Sequence, residues 1–222
     1  ENSGNARLYI TAHGIYNAYI NGKKAGDFIL APGTSQYNAR LQYQTYDVSG
    51  LLNVGKNEIL VTVGDGWWRG DTGYGGVRNS FGTDLAILCQ LEIDKKTVLI
   101  SDKSWSASQE GPLGLNDLMQ GECYDARKEN ICEWHPVTEK QFGYENLVCS
   151  NSFDVVEKEN FTGKQIHTPN GEVVIDFGQN IAGYVKFGFY AQAGQCITLY
   201  HGECLDQNGN FTQENFQAPE HR

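Results

Sequence analysis

Short strand-like segments separated by glycine-containing turns recur along the sequence, and no segment keeps a helical period over about 12 residues or more. Roughly ten such segments occur, with turn signals every ~8–12 residues. Glycine supplies 26 of the 222 residues, and the aromatic residues are 4 Trp, 12 Tyr and 10 Phe. Aromatic side chains fit a pleated surface, and glycine fits turns that need a positive φ. The sequence therefore predicts an all-β sandwich and excludes collagen, a coiled coil and a disordered chain.

The amino-terminal part carries the clearest hairpin signal. Residues 16–20 alternate between apolar and polar side chains, and Asn21-Gly22 follows them. Both turn residues tolerate the positive φ of a type I′ turn. One helical turn is predicted over residues 47–52. Strands are predicted at 7–12, 16–20, 43–47, 58–63, 84–94 and 97–101.

Two domains are predicted, with a linker at residues 140–152. The first is a β-sandwich over residues 1–145, in which 122–134 fits either a short helix or an irregular strand. The second is the start of a further β-sandwich, truncated, over residues 153–222. Its strands are predicted at 153–157, 172–177, 183–190 and 196–201, with one more near Phe211. A two-sheet sandwich normally has seven or more strands, so we expect another chain to complete this domain, and a homo-oligomer is one way to do so.

The charge balance excludes several classes of partner. Lys and Arg number 17 against 27 Asp and Glu, a formal net charge of -10, and the basic residues gather on no one segment. Neither nucleic acid nor an acidic membrane is a predicted partner. The apolar runs have strand length, well short of the ~20 residues that span a bilayer. No signal peptide is recognised, and both a cytoplasmic and a secreted location stay open.

The six cysteines are predicted to be free thiols. They form neither a C-x-x-C pair nor a short Cys/His cluster, which argues against structural zinc. Cys89 and Cys196 lie in apolar segments, where cysteine behaves as a small buried hydrophobe. Two glycosylation sequons begin at Asn160 and Asn210, and they do not settle the compartment.

The densest group of chemistry-bearing side chains lies in the loop 64–76. Its six glycines predict that it forms neither a helix nor a long strand. Aromatic rings cover the apolar face of a sugar, and charged side chains bind its hydroxyls. A sugar site is therefore predicted at Trp67, Trp68, Arg69 and Asp71. In the structural alternative the tryptophans alternate in and out, one caps the end of the sandwich, and Arg69 pairs with an aspartate.

Calcium is the one metal that this loop is predicted to be able to bind. Asp65, Asp71 and Asn79 offer the oxygen ligands that calcium prefers, although the EF-hand spacing is absent. Asp84 and backbone carbonyls of the glycine loop are further possible ligands. No other cofactor is predicted.

No catalytic residue is predicted. Glycoside hydrolysis usually needs two carboxyl groups about 5–9.5 Å apart, one with a raised pKa. Asp65 with Asp71, or Glu122 with Asp125, would supply such a pair, but carboxylates pair by chance in an acidic chain. No G-x-S-x-G motif occurs, and the five histidines have no evident partner.

A series of ordered motifs strongly resembles the amino-terminal region of bacterial α-L-rhamnosidases, which are glycoside hydrolases. The motifs are TAHGIY at 11–16, YINGKK at 19–24, LAPGT at 30–34, YQTYDV at 43–48, GKN at 55–57, GDGWWRG at 64–70 and GECYDAR at 121–127. Three further motifs of this chain resemble the next β-domain of the same enzymes. They are DFGQNIAGY at 176–184, AG at 193–194 and HGECL at 201–205. The resemblance covers essentially the whole chain.

This resemblance implies a jelly-roll β-sandwich similar to galactose-binding-like domains, followed by a second β-sandwich. In the family both precede an (α/α)6 barrel that holds the catalytic acid and base, and we expect that barrel to be missing here. Some members bind rhamnose through calcium in the first module. The resemblance carries no catalytic residue over to this chain.

Three functions remain as hypotheses. The first is a non-catalytic amino-terminal portion of an α-L-rhamnosidase that hydrolyses terminal α-L-rhamnose from glycosides, giving structural support and sugar binding. The second is a free-standing carbohydrate-binding module, and the third, a self-sufficient hydrolase, conflicts with the missing barrel. The expected partners are a rhamnose-containing carbohydrate and the catalytic barrel of the same enzyme. We expect this chain alone to be inactive.

Overall fold

The protein is described here by a computed structural model that covers residues 4–73 and 75–215. Tyr74, part of the loop singled out above, and the end of the second predicted domain lie outside these residues. The regular secondary structure of the described chain is almost entirely β, which confirms the predicted fold class. It divides into two compact units between Glu157 and Lys158. The predicted limits 1–145 and 153–222 stay predictions.

The elements of the first unit run from Ala6 to Cys149. Its strands are β1 (Ala6–His13), β2 (Ile15–Ile20), β3 (Lys23–Lys24), β4 (Leu41–Asp47), β5 (Ile59–Gly64), β6 (Ala86–Ile93), β7 (Lys96–Ile100), β8 (Ser106–Ala107), β9 (Leu113–Asp117), β10 (Gly121–Tyr124), β11 (His135–Pro136) and β12 (Leu147–Cys149). Its helical segments are α1 (Gly66–Arg69) and two 3-10 turns, Ser49–Leu51 and Ala126–Lys128. The second unit holds β13 (Lys164–His167) and β14 (Val173–Asp176).

Two sheets form the sandwich of the first unit. The larger has the order β12-β4-β1-β6-β7, and the smaller has the order β3-β2-β5. Their strands pair antiparallel except for β12, which runs parallel to β4. The two-stranded ribbons β9-β10 and β8-β11 add to this unit.

The alternation within β1 and β2 builds the core. Leu8 and Ile10 of β1 are 0% and 1% exposed, and Ala18 and Ile20 of β2 are equally buried in the same apolar cluster. Arg7, between the inward positions of β1, is exposed. Each fully buried Leu or Ile contributes about 1.5–3 kcal/mol relative to exposure. The register is therefore fixed, because a slip of one residue would turn this apolar set toward water.

The predicted turn and strands of the first 101 residues are confirmed. Asn21 and Gly22 have φ values of 51° and 76°, as a type I′ turn requires. The Asn21 amide group donates to the carbonyl of Leu51 at 2.9 Å, which ties the hairpin to the Ser49–Leu51 turn. Between residues 122 and 134 the structure has the end of β10 followed by the short Ala126–Lys128 turn.

The expected linker at 140–152 is wrong, because this segment contains β12. Leu147 and Cys149 lie opposite Leu41 and Tyr43 of β4 in a parallel register. A three-residue strand is too short to show a period in the sequence, and its partner lies about a hundred residues earlier. Residues 147–149 are therefore part of the larger sheet.

The second unit contains a single described hairpin. The strand predicted at 172–177 is confirmed by β14, which pairs with β13. The strands predicted at 183–190 and 196–201 are wrong, since these segments form no strand, and near Phe211 there is only an isolated bridge to Leu205. The strand predicted at 153–157 is also wrong, and that segment belongs to the end of the first unit. Alternating apolar residues need a paired backbone and a covered face, but Phe187 and Phe189 are 54% and 52% exposed. Cys196 is likewise exposed, against expectation, whereas Cys89 is buried.

Helices in the described ranges are short, and none is long and apolar enough to cross a membrane.

Candidate functional site

The loop after β5 begins with a helical turn that the sequence did not predict. Gly66 has a φ of +51°, and a Cβ atom there would lie 2.9 Å from the backbone nitrogen of Ile15 and 2.6 Å from its Cγ2. Glycine therefore permits α1 to approach the start of β2. The Arg69 Nε lies 2.6 Å from Asp65 Oδ1, an i,i+4 ion pair that spans the turn. The expectation that glycine content forbids a helix fails because tertiary contacts outweigh propensity over one turn.

Trp68 points from α1 into an aromatic cluster. The residue is 7% exposed, and its indole lies edge-on to Tyr37 with a centroid distance of 5.6 Å. Phe81 packs edge-on against Tyr37 at 4.9 Å. The indole nitrogen donates to the carbonyl of Asp84 at 3.0 Å, so the polar atom of the buried ring is satisfied. A Cβ at Gly82 would lie 2.6 Å from the indole, and this glycine therefore makes room for the ring.

His13 lies in the same cluster, at the end of β1. Its imidazole is parallel to the Trp68 indole, and Phe142 meets it edge-on at 4.6 Å. The residue is 7% exposed, and its buried Nδ1 has no hydrogen-bond partner within the described ranges. Burial lowers the pKa of His13, because the charged imidazolium loses more hydration than the neutral ring.

Arg78 gathers three carboxylates into one ion-pair cluster. Its Nη2 lies 2.8 Å from Asp65 Oδ2, and its Nη1 lies 3.1 Å from Asp71 Oδ1 and 2.9 Å from Asp117 Oδ2. The planar fork of a guanidinium suits such multiple contacts. Burial opposes the charge on Arg78, but the hydrogen bond to Asp65 and the three negative charges raise its pKa. Arg78 is thus the charged centre of this ion-pair cluster.

Asp117 anchors the cluster to the β9-β10 turn. Its Oδ2 accepts a hydrogen bond from the backbone of Asp71 at 2.9 Å, and its Oδ1 accepts from the backbones of Met119 and Gln120 at 2.8 and 3.0 Å. Burial by itself would raise the pKa of Asp117, but these backbone donors and Arg78 outweigh it, so the pKa is lowered. The carboxylate is therefore a structural anion.

The residues predicted to bind sugar have different environments. Trp67 is half-buried, Trp68 is buried, Arg69 is half-buried and paired with Asp65, and Asp71 is buried. The Asp71 side chain also accepts a hydrogen bond from the Gln120 amide at 2.5 Å. One tryptophan packed inward and Arg69 paired with an aspartate are what the structural alternative expects. Of the predicted set, only Trp67 and Arg69 keep accessible surface. Sugar binding stays a prediction.

The residues predicted to bind calcium differ in their surroundings, and the calcium site stays a prediction. Asp65 and Asp71 both contact Arg78, whereas Asn79 is an exposed residue with a φ of 58°. The carboxylate of Asp84 pairs with Lys140. Within residues 4–73 and 75–215 no group of three or more His, Cys, Asp or Glu is arranged to hold a metal ion.

Sequence reasoning missed the residues that organise the loop, which are Arg78, Asp117 and Gln120. Arg78 follows Asp71 by seven residues, so a basic residue next to an acidic loop could have indicated their ion pair from the sequence. Asp117 is 39 residues from Arg78, and only the fold brings the two together. The cluster holds three carboxylates and, with Arg69, two guanidinium groups, and their mutual pairing fits a structural role better than proton transfer.

The second pair considered for catalysis is also unsuited to it. The Arg127 side chain forms hydrogen bonds to Asp125, and these lower the pKa of this carboxyl group to about 2. Glu122 accepts a 3.3 Å hydrogen bond from Asn116. A glycosidase acid needs a raised pKa, and Asp125 has the opposite shift.

Two family models match the sequence. Residues 1–166 match the α-L-rhamnosidase N-terminal domain, and residues 166–222 match the bacterial α-L-rhamnosidase concanavalin-like domain.

Similar proteins carry the same name. An α-L-rhamnosidase of Streptomyces avermitilis is 33% identical over 96% of this chain, and one of Formosa agariphila is 31% identical over 96%. The chain spans only 22% and 25% of the length of these relatives.

Solved structures show the same likeness. The native α-L-rhamnosidase from Aspergillus terreus matches with a TM-score of 0.76 and 38% identity, over 82% of this chain and 23% of that one. The Streptomyces avermitilis enzyme complexed with L-rhamnose matches with a TM-score of 0.72 and 34% identity, over 80% of this chain and 18% of that one.

Proposed function

Because the chain belongs to the α-L-rhamnosidase N-terminal domain family, we propose that it serves an enzyme that removes terminal α-L-rhamnose from glycosides. The chain corresponds to a non-catalytic amino-terminal portion of such an enzyme, since it matches 22% and 25% of the length of relatives that bear this name. The catalytic acid and base of the complete protein belong, in this proposal, to a partner region outside this sequence. That partner is the barrel of the same polypeptide.

The geometry of the ion-pair cluster around Arg78 supports the non-catalytic role. Its carboxylates Asp65 and Asp71 contact Arg78, and Asp117 is held ionised by backbone donors. General acid catalysis needs a carboxyl group that is protonated near neutral pH, and an anion stabilised in this way is a poor proton donor. The loop therefore serves to brace one end of the sandwich.

A direct assay tests the division of labour. This chain and the complete protein that contains it are purified separately and incubated with an aryl α-L-rhamnoside. We expect nitrophenol release from the complete protein and none above a buffer blank from the chain. An aryl β-D-glucoside is the matched substrate control. Activity of the purified chain on the rhamnoside would overturn the non-catalytic role. A complete protein that cleaves the glucoside but not the rhamnoside would overturn the proposed substrate.

Sugar binding by this chain is a second candidate function, and the half-buried Trp67 favours it. Its ring can cover the apolar face of a deoxy sugar, and the neighbouring Arg69 can bind hydroxyl groups. Binding is expected to be weak, because one aromatic ring and a rim charge offer few contacts. A calorimetric titration with L-rhamnose, with and without calcium, tests it. Trp67→Ala should abolish the heat, and a flat titration of the unaltered chain would leave only the bracing role.

Exposed apolar side chains in the second unit support the proposal that a partner covers them. Phe187, Phe189 and Tyr184 are 54%, 52% and 65% exposed, and surfaces of this kind drive association. In our proposal the rest of the same polypeptide covers them in the complete protein, so the isolated chain, which lacks that cover, associates with itself. The alternative is that the complete protein forms a homo-oligomer through this unit. Light scattering distinguishes the two: the chain alone should associate, whereas the complete protein should not do so through this unit. A strictly monomeric isolated chain would contradict the proposal.

A further inference from the structure

Strand β5 forms one edge of the smaller sheet, and one side of its backbone has no partner strand. β5 pairs with β2 alone, and Glu58, just before it, accepts a backbone hydrogen bond from Asn21 at 3.0 Å. The bonding side alternates along an antiparallel strand, so every second residue from Glu58 bonds to β2. The backbone groups of Ile59, Val61 and Val63 therefore point away from β2, and in the described part of the chain they have no hydrogen-bond partner.

Strand β9 limits this open edge at its far end. The backbone N–H of Asp65 donates to the carbonyl of Asn116 in β9 at 3.4 Å, so the edge is covered just beyond Gly64. The open part is thus the segment 59–63, and Val61 is its midpoint. Five residues are within the usual length of a strand, so the open edge has room for one more strand.

The side chains of the open segment also lack a neighbour. Ile59, Val61 and Val63 pack against the apolar core but are only half-buried. On the adjacent strand β2, the inward-facing Ala18 and Ile20 are 1% and 0% exposed. Because apolar surface is driven out of water, a further strand beside β5 would stabilise the protein by covering the first three side chains.

The other edges of the two sheets have features that hinder strand addition. β3 and β12 contain only two and three residues, and both residues of β3 are lysines. β7 begins with Lys96, and its pairing with β6 shifts register between Leu91 and Glu92. Short strands, edge lysines and irregular register are common means of preventing edge-to-edge association. In contrast, none of the six residues of β5 is charged and none is proline.

We propose that a second copy of this chain adds to the open edge of β5 in an antiparallel direction, about a two-fold axis at Val61. In this register Ile59 lies opposite Val63 of the other copy, and Val61 lies opposite its own equivalent. All three outward-pointing backbones of each copy then exchange hydrogen bonds with those of the other. The two smaller sheets become one continuous sheet.

The segment fits its own copy in this register and in no neighbouring one. Glu58 lies opposite Gly64, so like charges do not face each other. On the outer face Leu60 lies opposite Thr62. A shift by one residue would set outward-pointing backbones against backbones that already bond to β2. A shift by two would leave one of the three outward-pointing residues opposite a residue outside the open segment.

Residue-resolved amide hydrogen exchange of this chain, measured at rising concentration, tests the pairing. A salt concentration of about 0.15 M screens the repulsion between chains of net charge -10. Exchange at Val61 and Val63 should slow by roughly tenfold when the free chain reaches about ten times its dissociation constant. The amides of Leu60 and Thr62 bond to β2 in either state, so their exchange is the internal control.

Paired charge variants test the register. Leu60→Lys with Thr62→Lys places lysines opposite lysines in the proposed dimer, and Leu60→Glu with Thr62→Glu places glutamates opposite glutamates. Each variant alone should lose the concentration dependence at Val61. An equimolar mixture should regain it, because opposite charges then face each other, and this also shows that both variants fold. Val98→Lys with Ile100→Lys is the matched control on the exposed edge strand β7, and it should keep the dependence.

Three results would overturn the proposal. The first is exchange at Val61 that does not change up to about 1 mM chain, the upper end of weak association. The second is concentration dependence that persists in the lysine variant alone, and the third is a mixture that fails to regain it. Exchange is read at β5 itself, so association through the second unit does not alter these outcomes. None of them depends on rhamnosidase activity, and the result is separate from that of the proposed function.

Discussion

The indole of Trp68 lies parallel to the imidazole of His13, with ring centroids 3.6 Å apart and an interplanar angle of 7°. Trp68 belongs to α1 and His13 ends β1, so the stack joins the loop to the larger sheet. Phe142 closes the edge of the stack from a later segment. The contact thus connects three parts of the chain that are distant in sequence.

Trp68→Ala should lower the free energy of unfolding by about 3–5 kcal/mol, because it removes a buried ring and leaves a cavity. Trp67→Ala is the matched control, and its half-buried ring should cost only about 1 kcal/mol. Urea unfolding followed by circular dichroism gives both values. Equal losses in the two variants would contradict the distinction between the buried and the half-buried ring.

The stability of the first unit should fall as the pH falls below about 6.5. Burial lowers the pKa of His13 from its usual 6.5, so the unfolded chain binds a proton more readily than the folded chain. The stabilisation is present above pH 6.5 and is lost as the pH drops below it. His13→Phe keeps an aromatic ring in the stack and should flatten the slope of stability between pH 7.5 and 5.5.

The control for this pH dependence is His135→Phe, which alters an exposed histidine. It should leave the slope unchanged when thermal midpoints are measured across the same pH series. An identical slope in the protein and in His13→Phe would show that another group titrates.

Arg78→Met should destabilise the first unit by roughly 2–3 kcal/mol, because Asp71 and Asp117 would keep buried charges with less compensation. This destabilisation is smaller than that expected for breaking a fully buried ion pair, since the Arg78 side chain is 41% exposed. Arg127→Met removes a pair whose arginine is 74% exposed and should have a much smaller effect. Comparable urea midpoints for the two variants would refute the role of Arg78 as the centre of the cluster.

Added calcium should leave the thermal midpoint of the protein unchanged. Asp65 and Asp71 already contact Arg78, and a cation would have to displace its guanidinium. The measurement compares millimolar calcium with a chelator at constant ionic strength. A rise in the midpoint that Asn79→Ala abolishes would instead support the calcium site predicted at Asp65, Asp71 and Asn79.

The sequence predicts well those parts of the fold that local pattern determines. The alternation of β1 and β2 and the Asn21-Gly22 turn are encoded within a few residues of one another. Local sequence does not determine strand β12 or the helical turn α1, because each depends on a partner elsewhere in the chain. Both of these predictions failed for this one reason.

The candidate site follows the same division. The loop and its chemistry-bearing residues were visible in the glycine-rich segment around Trp67 and Trp68, but the burial of Trp68 was not. The Arg78 cluster requires Asp117, which comes from β9. In the second unit, alternating side chains at 183–190 predicted a strand that the structure does not form, since a pattern shows which face would be buried but provides no neighbour to bury it.

The parallel pairing of β12 with β4 has a consequence for synthesis on the ribosome. Leu41–Asp47 emerge early, but this edge of β4 stays unpaired until Leu147–Cys149 have left the exit tunnel. Contacts between such distant segments form slowly, because a long loop must close first. The nascent chain therefore holds an open sheet edge for most of the translation of the first unit, and the time at which residue 149 emerges sets the earliest moment at which this sheet can close.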